Sequence, residues 1–344
     1  MTAPETPVDK DRKDRSRRLE TVLDAAGLQP LGTPSGVVSY SNDTFLLDDR
    51  RYGEAVLRIC YRGDIDRLPR EATVGRAIPP EVGYPEVLGS GEAFMGDYRL
   101  TWSLARRLRG STLLEAWPVL PESERRRAAR STAHALRALH AWRPPGRLVA
   151  GLSWPASEAL TTREGVIGAS MHPVPIERVR LLIAELAAVE GVDGSLVAAA
   201  SAAIERLRDL APAFDDPGTS NLIHGDLQLS NIWWNDHGEA GLIDLEWARF
   251  APAWVDLARL RDNADADATG GLTMHAELLG WLREDYPELF TVDRLDDRIR
   301  FLCLAFFVRQ ALIYPIQASS ESVPPDHPLR LLASLVSRGP CMNL

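Results

Sequence analysis

Hydrophobic and polar positions change rhythm twice along this chain. Residues 1–10 carry no periodic pattern and are expected to be disordered, whereas residues 11–26 read as a helix, stopped by Gly27 and Pro30. Short apolar runs then take over. Residues 36–40 and 44–47 read as strands about the polar turn 41–43, residues 48–53 as a hairpin turn, and residues 55–60 as a third strand. Residues 68–77 suit a short helix carrying Glu71, with Pro69 tolerated in its first turn. Residues 85–88 and 98–104 suit two more strands, which makes a small, mostly antiparallel sheet with one helix. After Gly110 the period becomes helical. Residues 122–142 place Ala129, Ala133, Leu136 and Leu139 on one face. Residues 150–175, rich in Pro, Gly, Ser and Thr, read as a long connection, and helices are expected over 176–190 and 194–210. A loop-and-strand stretch over 220–247 precedes helices from 256 onward. The pattern is therefore α+β, with the sheet first and the helices after it.

A chain of 344 residues is too long for one simple core and fits two lobes. Three cysteines, Cys60, Cys303 and Cys341, lie far apart, which argues against a disulfide scaffold and for a reducing compartment. The charged N-terminus lacks the apolar stretch of a signal peptide, and residues 301–316 are too short, and interrupted by Arg309, to span a membrane. They read as a buried helix, and a cytoplasmic location is expected. Charge is uneven: residues 1–150 hold 24 Lys and Arg against 20 Asp and Glu, a net of +4, and the remainder holds 15 against 28, a net of −13. An acidic second half disfavours nucleic acid as a partner and is compatible with a cationic small molecule.

Lysine occurs only at Lys10 and Lys13, so a Gly-Lys-Ser/Thr phosphate loop is absent and a Schiff-base lysine in the folded body is excluded. The polar chemistry concentrates in His224-Gly225-Asp226 with Asn231, and in Asp244, eighteen residues past Asp226. Apolar runs flank both segments, and the turn 235–238 between them puts them on neighbouring strands of one hairpin. Phosphoryl transfer needs such a set. Its catalysis is mostly positioning and cation clamping, and magnesium takes hard oxygen donors while keeping several waters. Asn231 and Asp244 are suitable ligands by type, and Asp226, five residues before Asn231, suits a base that takes the proton of an acceptor hydroxyl.

These residues resemble the aminoglycoside phosphotransferase family, whose protein-kinase-like fold is shared with choline and homoserine kinases. The family's His-Gly-Asp-x-x-x-x-Asn loop is similar to residues 224–231, its Ile-Asp strand end to Ile243-Asp244, and its Pro…Asp-Leu-Ala stretch to Pro252 and Asp256-Leu257-Ala258. The resemblance implies an α+β fold in two lobes, a small antiparallel β-sheet N-lobe with one helix and a larger, mainly helical C-lobe. The expected division is a tail and helix over 1–27, a nucleotide-binding lobe over 28–108 and a catalytic, substrate-binding lobe over 109–344. It implies Asp226 as base, His224 as a brace of its loop, Asn231 and Asp244 as Mg2+ ligands, and Asp256 as the cap of the next helix. It also implies Arg58 as the phosphate-binding cation in place of lysine, Glu71 as its ion-pair partner, and Ser41 and Asn42 at the turn over the nucleotide. The adenine-contacting backbone falls near Ala105 and Arg107. Asp262 and Asp265 lie in a region that faces the substrate in the family. His134, His140, Trp233 and Trp234 read as packing or surface residues.

The function so implied is an O-phosphotransferase moving the γ-phosphate of ATP or GTP to a hydroxyl of a small molecule, with a cationic antibiotic or amino-sugar as first acceptor. A kinase of a choline-, homoserine- or sugar-type metabolite is the alternative within that class. A nucleotide-binding pseudokinase is another class, favoured by the missing lysine and opposed by the intact Asp226, Asn231 and Asp244. A metal-dependent phosphoesterase would need histidine-rich ligand motifs, which His172, His237, His275 and His327 do not form.

Overall fold

The computed structural model describes residues 7–39, 42–146, 148–149, 175–214, 220–314 and 327–337. Two compact units emerge, Met1–Ile78 with Tyr84–Arg109, and Pro79–Gly83 with Gly110–Leu344.

The first unit contains helix α1 (Pro7–Ala26), strands β1 (Ser35–Val37), β2 (Asp43–Asp49) and β3 (Gly53–Cys60), helix α2 (Arg67–Gly75), and strands β4 (Val87–Met95) and β5 (Tyr98–Arg106). The five strands form one sheet in the order β1-β2-β3-β5-β4, every pairing antiparallel. Strand alternation sends successive side chains to opposite faces. Phe45, Leu57 and Leu104 stand side by side across three strands, and with Leu47, Ile59 and Leu100 they bury against Val22 and Leu28. Helix α1 is also held by charge: Arg18 Nε donates to Asp43 Oδ2 at 2.6 Å, and Arg15 Nη2 donates to the carbonyls of Val37 and Thr44, each at 3.0 Å. The β2–β3 turn is set by Asp49, whose carboxylate accepts from the backbone N–H groups of Arg51 and Tyr52.

Two expectations are corrected here. Helix α1 begins at Pro7 rather than at residue 11. Strand β4 runs from Val87 to Met95, where the expected strand covered only residues 85–88. Trp102 on β5 accounts for Gly89 and Gly91 within it. A β-carbon at Gly89 or Gly91 would lie 3.1 or 3.0 Å from its indole, so the ring occupies the space that side chains would fill.

The second unit starts with β6 (Ser111–Thr112), α3 (Leu113–Ala116) and α4 (Glu122–Ala141). Then come α5 (Ile176–Ala187), α6 (Gly194–Leu207), β7 (Asn221–Ile223), β8 (Ile232–Trp234), β9 (Ala240–Leu242) and β10 (Arg249–Ala251), and last α7 (Leu257–Thr269), α8 (Met274–Asp285), α9 (Leu295–Ile313) and α10 (Pro328–Ser337). The strands make two small sheets, β6-β8-β9 and β10-β7. Small residues on α4 (Ala128, Ala129, Ala133, Ala135) let it approach β7, β9 and α8 closely. Residues 301–309 of α9 are buried on every side, because α5, α6, α7 and α10 all pack around this helix. Gly110 has φ +108°, and a β-carbon there would lie 2.1 Å from the Trp234 carbonyl oxygen, so only glycine fits. No described helix is long and apolar enough to cross a membrane. The expected connection over 150–175 lies, but for its last residue, outside the described residues.

The Phe45–Leu57–Leu104 row should dominate the stability of the first unit. Leu57→Ala is expected to cost about 2–5 kcal/mol in denaturant unfolding, because the fully buried side chain leaves a cavity. Val38→Ala, at a position 91% exposed, should stay within about 0.5 kcal/mol.

Candidate active site

The loop that follows β7 carries the densest polar geometry in the second unit. Leu222 and Ile223 are fully buried and pair with Phe250 and Arg249 of β10, which fixes where the chain leaves the sheet. At that point Asp256 takes over. Its carboxylate, 1% exposed, accepts from the backbone N–H of His224 (2.9 Å) and of Gly225 (2.8 Å), and from His140 Nε2 (3.0 Å). Burial alone would raise its pKa. The hydrogen bond from His140 and the backbone donor of His224 outweigh that and hold it below the ordinary carboxylate value. The His140 ring is completed by the Tyr286 hydroxyl at 3.2 Å from Nδ1.

This corrects the reading of Asp256. Its side chain makes no cap on α7, and its hydrogen bonds go instead to the loop 32 and 31 residues earlier in the chain. His140, read as packing or surface, is part of the same buried network. No local pattern marked it, since it stands 116 residues from Asp256.

His224 braces the loop from inside. It is fully buried, its Nε2 lies 2.8 Å from the Ile243 carbonyl, and its Nδ1 accepts from the Asp226 N–H at 3.3 Å. A carbonyl can only accept, so Nε2 carries the proton, and Nδ1 is free to accept. Gly225 has φ +83°, and a β-carbon would lie 2.2 Å from the Trp247 carbonyl oxygen, which makes glycine obligatory there.

Asp226 is presented by this loop and is 8% exposed. Its Oδ1 accepts from Arg259 Nε at 3.0 Å, and its Oδ2 accepts from Gln228 Nε2 at 3.2 Å and Asn231 Nδ2 at 3.3 Å. Burial pushes its pKa up; Arg259 opposes the rise, and Glu246 adds to it. Asn231 Nδ2 also donates to the Asp226 carbonyl at 2.8 Å, which fixes the amide and assigns Oδ1 as its outward oxygen.

The β8–β9 hairpin then brings Asp244 close in the chain's own geometry. Ile243 N–H donates to the Asn231 carbonyl at 3.0 Å, so Asp244 follows directly on a residue bonded to Asn231. Asp244 itself is left-handed, with φ 61° and ψ 60°, a conformation uncommon outside glycine that clusters at functional sites. A carboxylate oxygen of Glu246, a buried residue, lies within 4.8 Å of one from Asp244. Asn231 Oδ1 with these two carboxylates is an all-oxygen donor set, which fits magnesium by type. Glu246 was missed in the sequence, although it stands only two residues past Asp244.

Helix α7 supplies the other missed residue. Arg259 pairs with Asp226 and, through Nη1, with Asp262 Oδ2 at 2.6 Å, while its guanidinium lies 4.4 Å from the Phe306 ring. The only available signal was the three-residue spacing Asp256, Arg259, Asp262, which places all three on one helical face. Asp262 and Asp265, expected to contact substrate, are paired with Arg259 and Arg261 respectively.

In the first unit, Arg58 Nη1 lies 2.6 Å from Glu71 Oε2, and the Tyr84 hydroxyl donates to Glu71 Oε1 at 2.8 Å. Arg58 points to the sheet face opposite Leu57 and Ile59, as strand alternation requires. Asn42 is buried, and its amide oxygen accepts from Arg67 Nη2 at 3.0 Å; Ser41 lies outside the described residues. Ala105 on β5 pairs with Val56 of β3 and Val87 of β4, and the Arg107 N–H donates to the Glu54 carbonyl at 3.1 Å.

Apart from Phe306, the residues just described fall within a segment, 36–289, that matches the family model described as the phosphotransferase enzyme family. The chain belongs to the phosphotransferase enzyme family. By that membership it is an enzyme, a kinase of small molecules. No curated protein matches it. Among solved structures, the apo form of a thermostable mutant of aminoglycoside phosphotransferase APH(4)-Ia is 18% identical, with a TM-score of 0.59 over 92% of this chain and 97% of that one. The GDP complex of wild-type aminoglycoside 2'-phosphotransferase-IIIa is 16% identical, with a TM-score of 0.60 over 94% and 98%. The GDP and kanamycin complex of APH(2")-IIia is 17% identical, with a TM-score of 0.58 over 86% and 90%. These likenesses show the fold of this phosphotransferase, which is protein-kinase-like.

Asp262 gives the phosphotransferase a pH signature. Burial, with Asp265 and Asp226 nearby, pushes its carboxyl up to about 6 despite Arg259. The folded value lies above the unfolded one of about 3.9, so the contribution to stability is fully present below the unfolded value and is lost as pH rises through about 6. Unfolding free energy measured between pH 5 and pH 7 should therefore fall more steeply in the wild type than in Asp262→Asn. Equal slopes would remove Asp262 as the source.

Proposed function

We propose that this phosphotransferase moves the γ-phosphate of ATP or GTP to a hydroxyl of a small molecule, with Asp226 as the base. The observation that carries this reading is the fixed placement of the Asp226 carboxylate. His224 and Asp256 lock its loop from both sides, and Asn231, tied to Asp226, leads directly into the hairpin that ends at Asp244. A rigid carboxylate can orient an acceptor hydroxyl and receive its proton as the oxygen attacks phosphorus. Its raised pKa brings the base nearer neutral pH, where it both accepts the proton and releases it.

Asn231 and Asp244 would hold magnesium, with Glu246 close enough to Asp244 to share in the site. The metal, when bound, supplies charge neutralisation for the transferring phosphate. Arg58 is the phosphate-binding cation of the first unit. Its pairing with Glu71 orients the guanidinium, which offers a planar fork to phosphate oxygens where a lysine would offer a point charge. Nucleotide use is supported by the structural neighbours, which include complexes with GDP and ADP. Neighbours also hold kanamycin and hygromycin B. On those ligands, and on the acidity of the second half, a cationic antibiotic or amino-sugar is the acceptor class to screen first.

Asp226→Asn should lower acceptor-dependent nucleotide consumption by about 10²–10⁴-fold while nucleotide binding and the circular dichroism spectrum stay as in the wild type. Retained turnover would remove Asp226 as the base. Arg58→Ala should weaken nucleotide use, read as a rise in nucleotide KM or a fall in rate; identical nucleotide kinetics would exclude Arg58 from the phosphate site.

A further inference from the structure

Residues 38–42, which link β1 to β2, contain no glycine. β1 itself is a weak element, three exposed residues at the sheet edge that pair with β2. Arginines from two helices hold the base of this hairpin. Val37 and Thr44 are its last cross-strand pair before the link. Arg15 Nη2, from α1, donates to the carbonyls of both, at 3.0 Å each. Gly36 leaves room for it: a β-carbon there would lie 3.0 Å from Arg15 Nη2 and 3.2 Å from its Cζ. The next residue along β2 towards the link, Asp43, is buried and is reached by Arg18 Nε at 2.6 Å and by Arg15 Nε at 3.5 Å. From α2, Arg67 donates to Asn42 Oδ1 through Nε at 3.3 Å and Nη2 at 3.0 Å.

The β2–β3 register carries this order to Arg58, because Thr44 stands directly opposite it. Helix α1 packs on the sheet face of Leu57, and strand alternation turns Arg58 to the other face. Arg15 therefore acts on a nucleotide through the hairpin backbone and not by touching it. We propose that Arg15 is a positioning residue for nucleotide binding, which staples the β1–β2 hairpin where it covers the phosphates beside Arg58. Arg18 and Arg67 hold the neighbouring residues Asp43 and Asn42 in the same position. A hairpin already in place loses less conformational freedom when the nucleotide arrives, and apparent affinity falls in proportion to the population of that placed state. Helix α1, which lies outside the matched family segment, thereby takes part in nucleotide binding. The inference rests on the proposed nucleotide site of the first unit.

Calorimetric titration of the whole chain with ADP and with GDP, each with magnesium, tests it without need of an acceptor. Arg15→Ala should bind the nucleotide at least about threefold more weakly than the wild type, as when the placed hairpin falls to about a third of the population. Arg15→Lys keeps a cation with donors for both carbonyls and should recover most of that loss. Unchanged affinity in a folded Arg15→Ala, or a loss that Arg15→Lys does not recover at all, overturns the proposal. Should Arg15→Ala fail to fold, Gly36→Val keeps the arginine but drives its guanidinium off the two carbonyls. The same loss is then expected, and unchanged affinity again overturns the proposal. A failure of the nucleotide reading itself shows differently: the wild type then binds neither ADP nor GDP, and the role of Arg15 falls with it.

Discussion

One buried carboxylate holds the second unit's chemistry together. Asp256 is removed from water, and an ionised group in that position is costly unless each oxygen finds donors. Here both do. Oδ1 takes the Gly225 N–H, and Oδ2 takes the His224 N–H and His140 Nε2. The two backbone donors belong to a turn whose glycine is left-handed and packs against the Trp247 carbonyl. Through His140 and Tyr286 the same carboxylate reaches α4 and the end of α8. A turn with donors on both its sides has one conformation, and Asp226, the next residue, inherits that rigidity. Positioning is most of what phosphoryl transfer asks of a protein.

Arginine does the cationic work in both units, and burial decides what each ion pair contributes. Pairs such as Arg106 with Glu86 or Arg180 with Glu205 are exposed and contribute little. Arg18 with Asp43, Arg58 with Glu71, and Arg259 with Asp226 and Asp262 are largely removed from water, where the geometry of a guanidinium matters. The first holds α1 against the start of β2, so the N-terminal helix, which lies outside the matched family segment, is fastened to the sheet it covers. The second orients Arg58. The third places opposite charge beside Asp226, the proposed base, and offsets part of its desolvation.

Sequence alone determined a good deal. The α+β order, the antiparallel sheet and the long helix α4 follow from periods of two and 3.6, which are local properties of the chain. The candidate set was legible because its members are close in sequence: Asp226 and Asn231 share one loop, and Asp244 ends the hairpin that follows. Arg58 and Glu71 were legible by position on a strand and the next helix, and the 2.6 Å contact between them is what that placement produces. The strand expected over 85–88 fell short of β4, which runs on to Met95 with Gly89 and Gly91 making room for Trp102 of the neighbouring strand. Only the tertiary structure decided the rest. It turned Asp256 from a helix cap into the anchor of a loop some thirty residues earlier in the chain, recruited His140 from 116 residues away, and laid Arg259 across Asp226 and Asp262. Hydrogen bonds between groups so far apart leave no period and no spacing in the sequence, because folding alone brings them within reach.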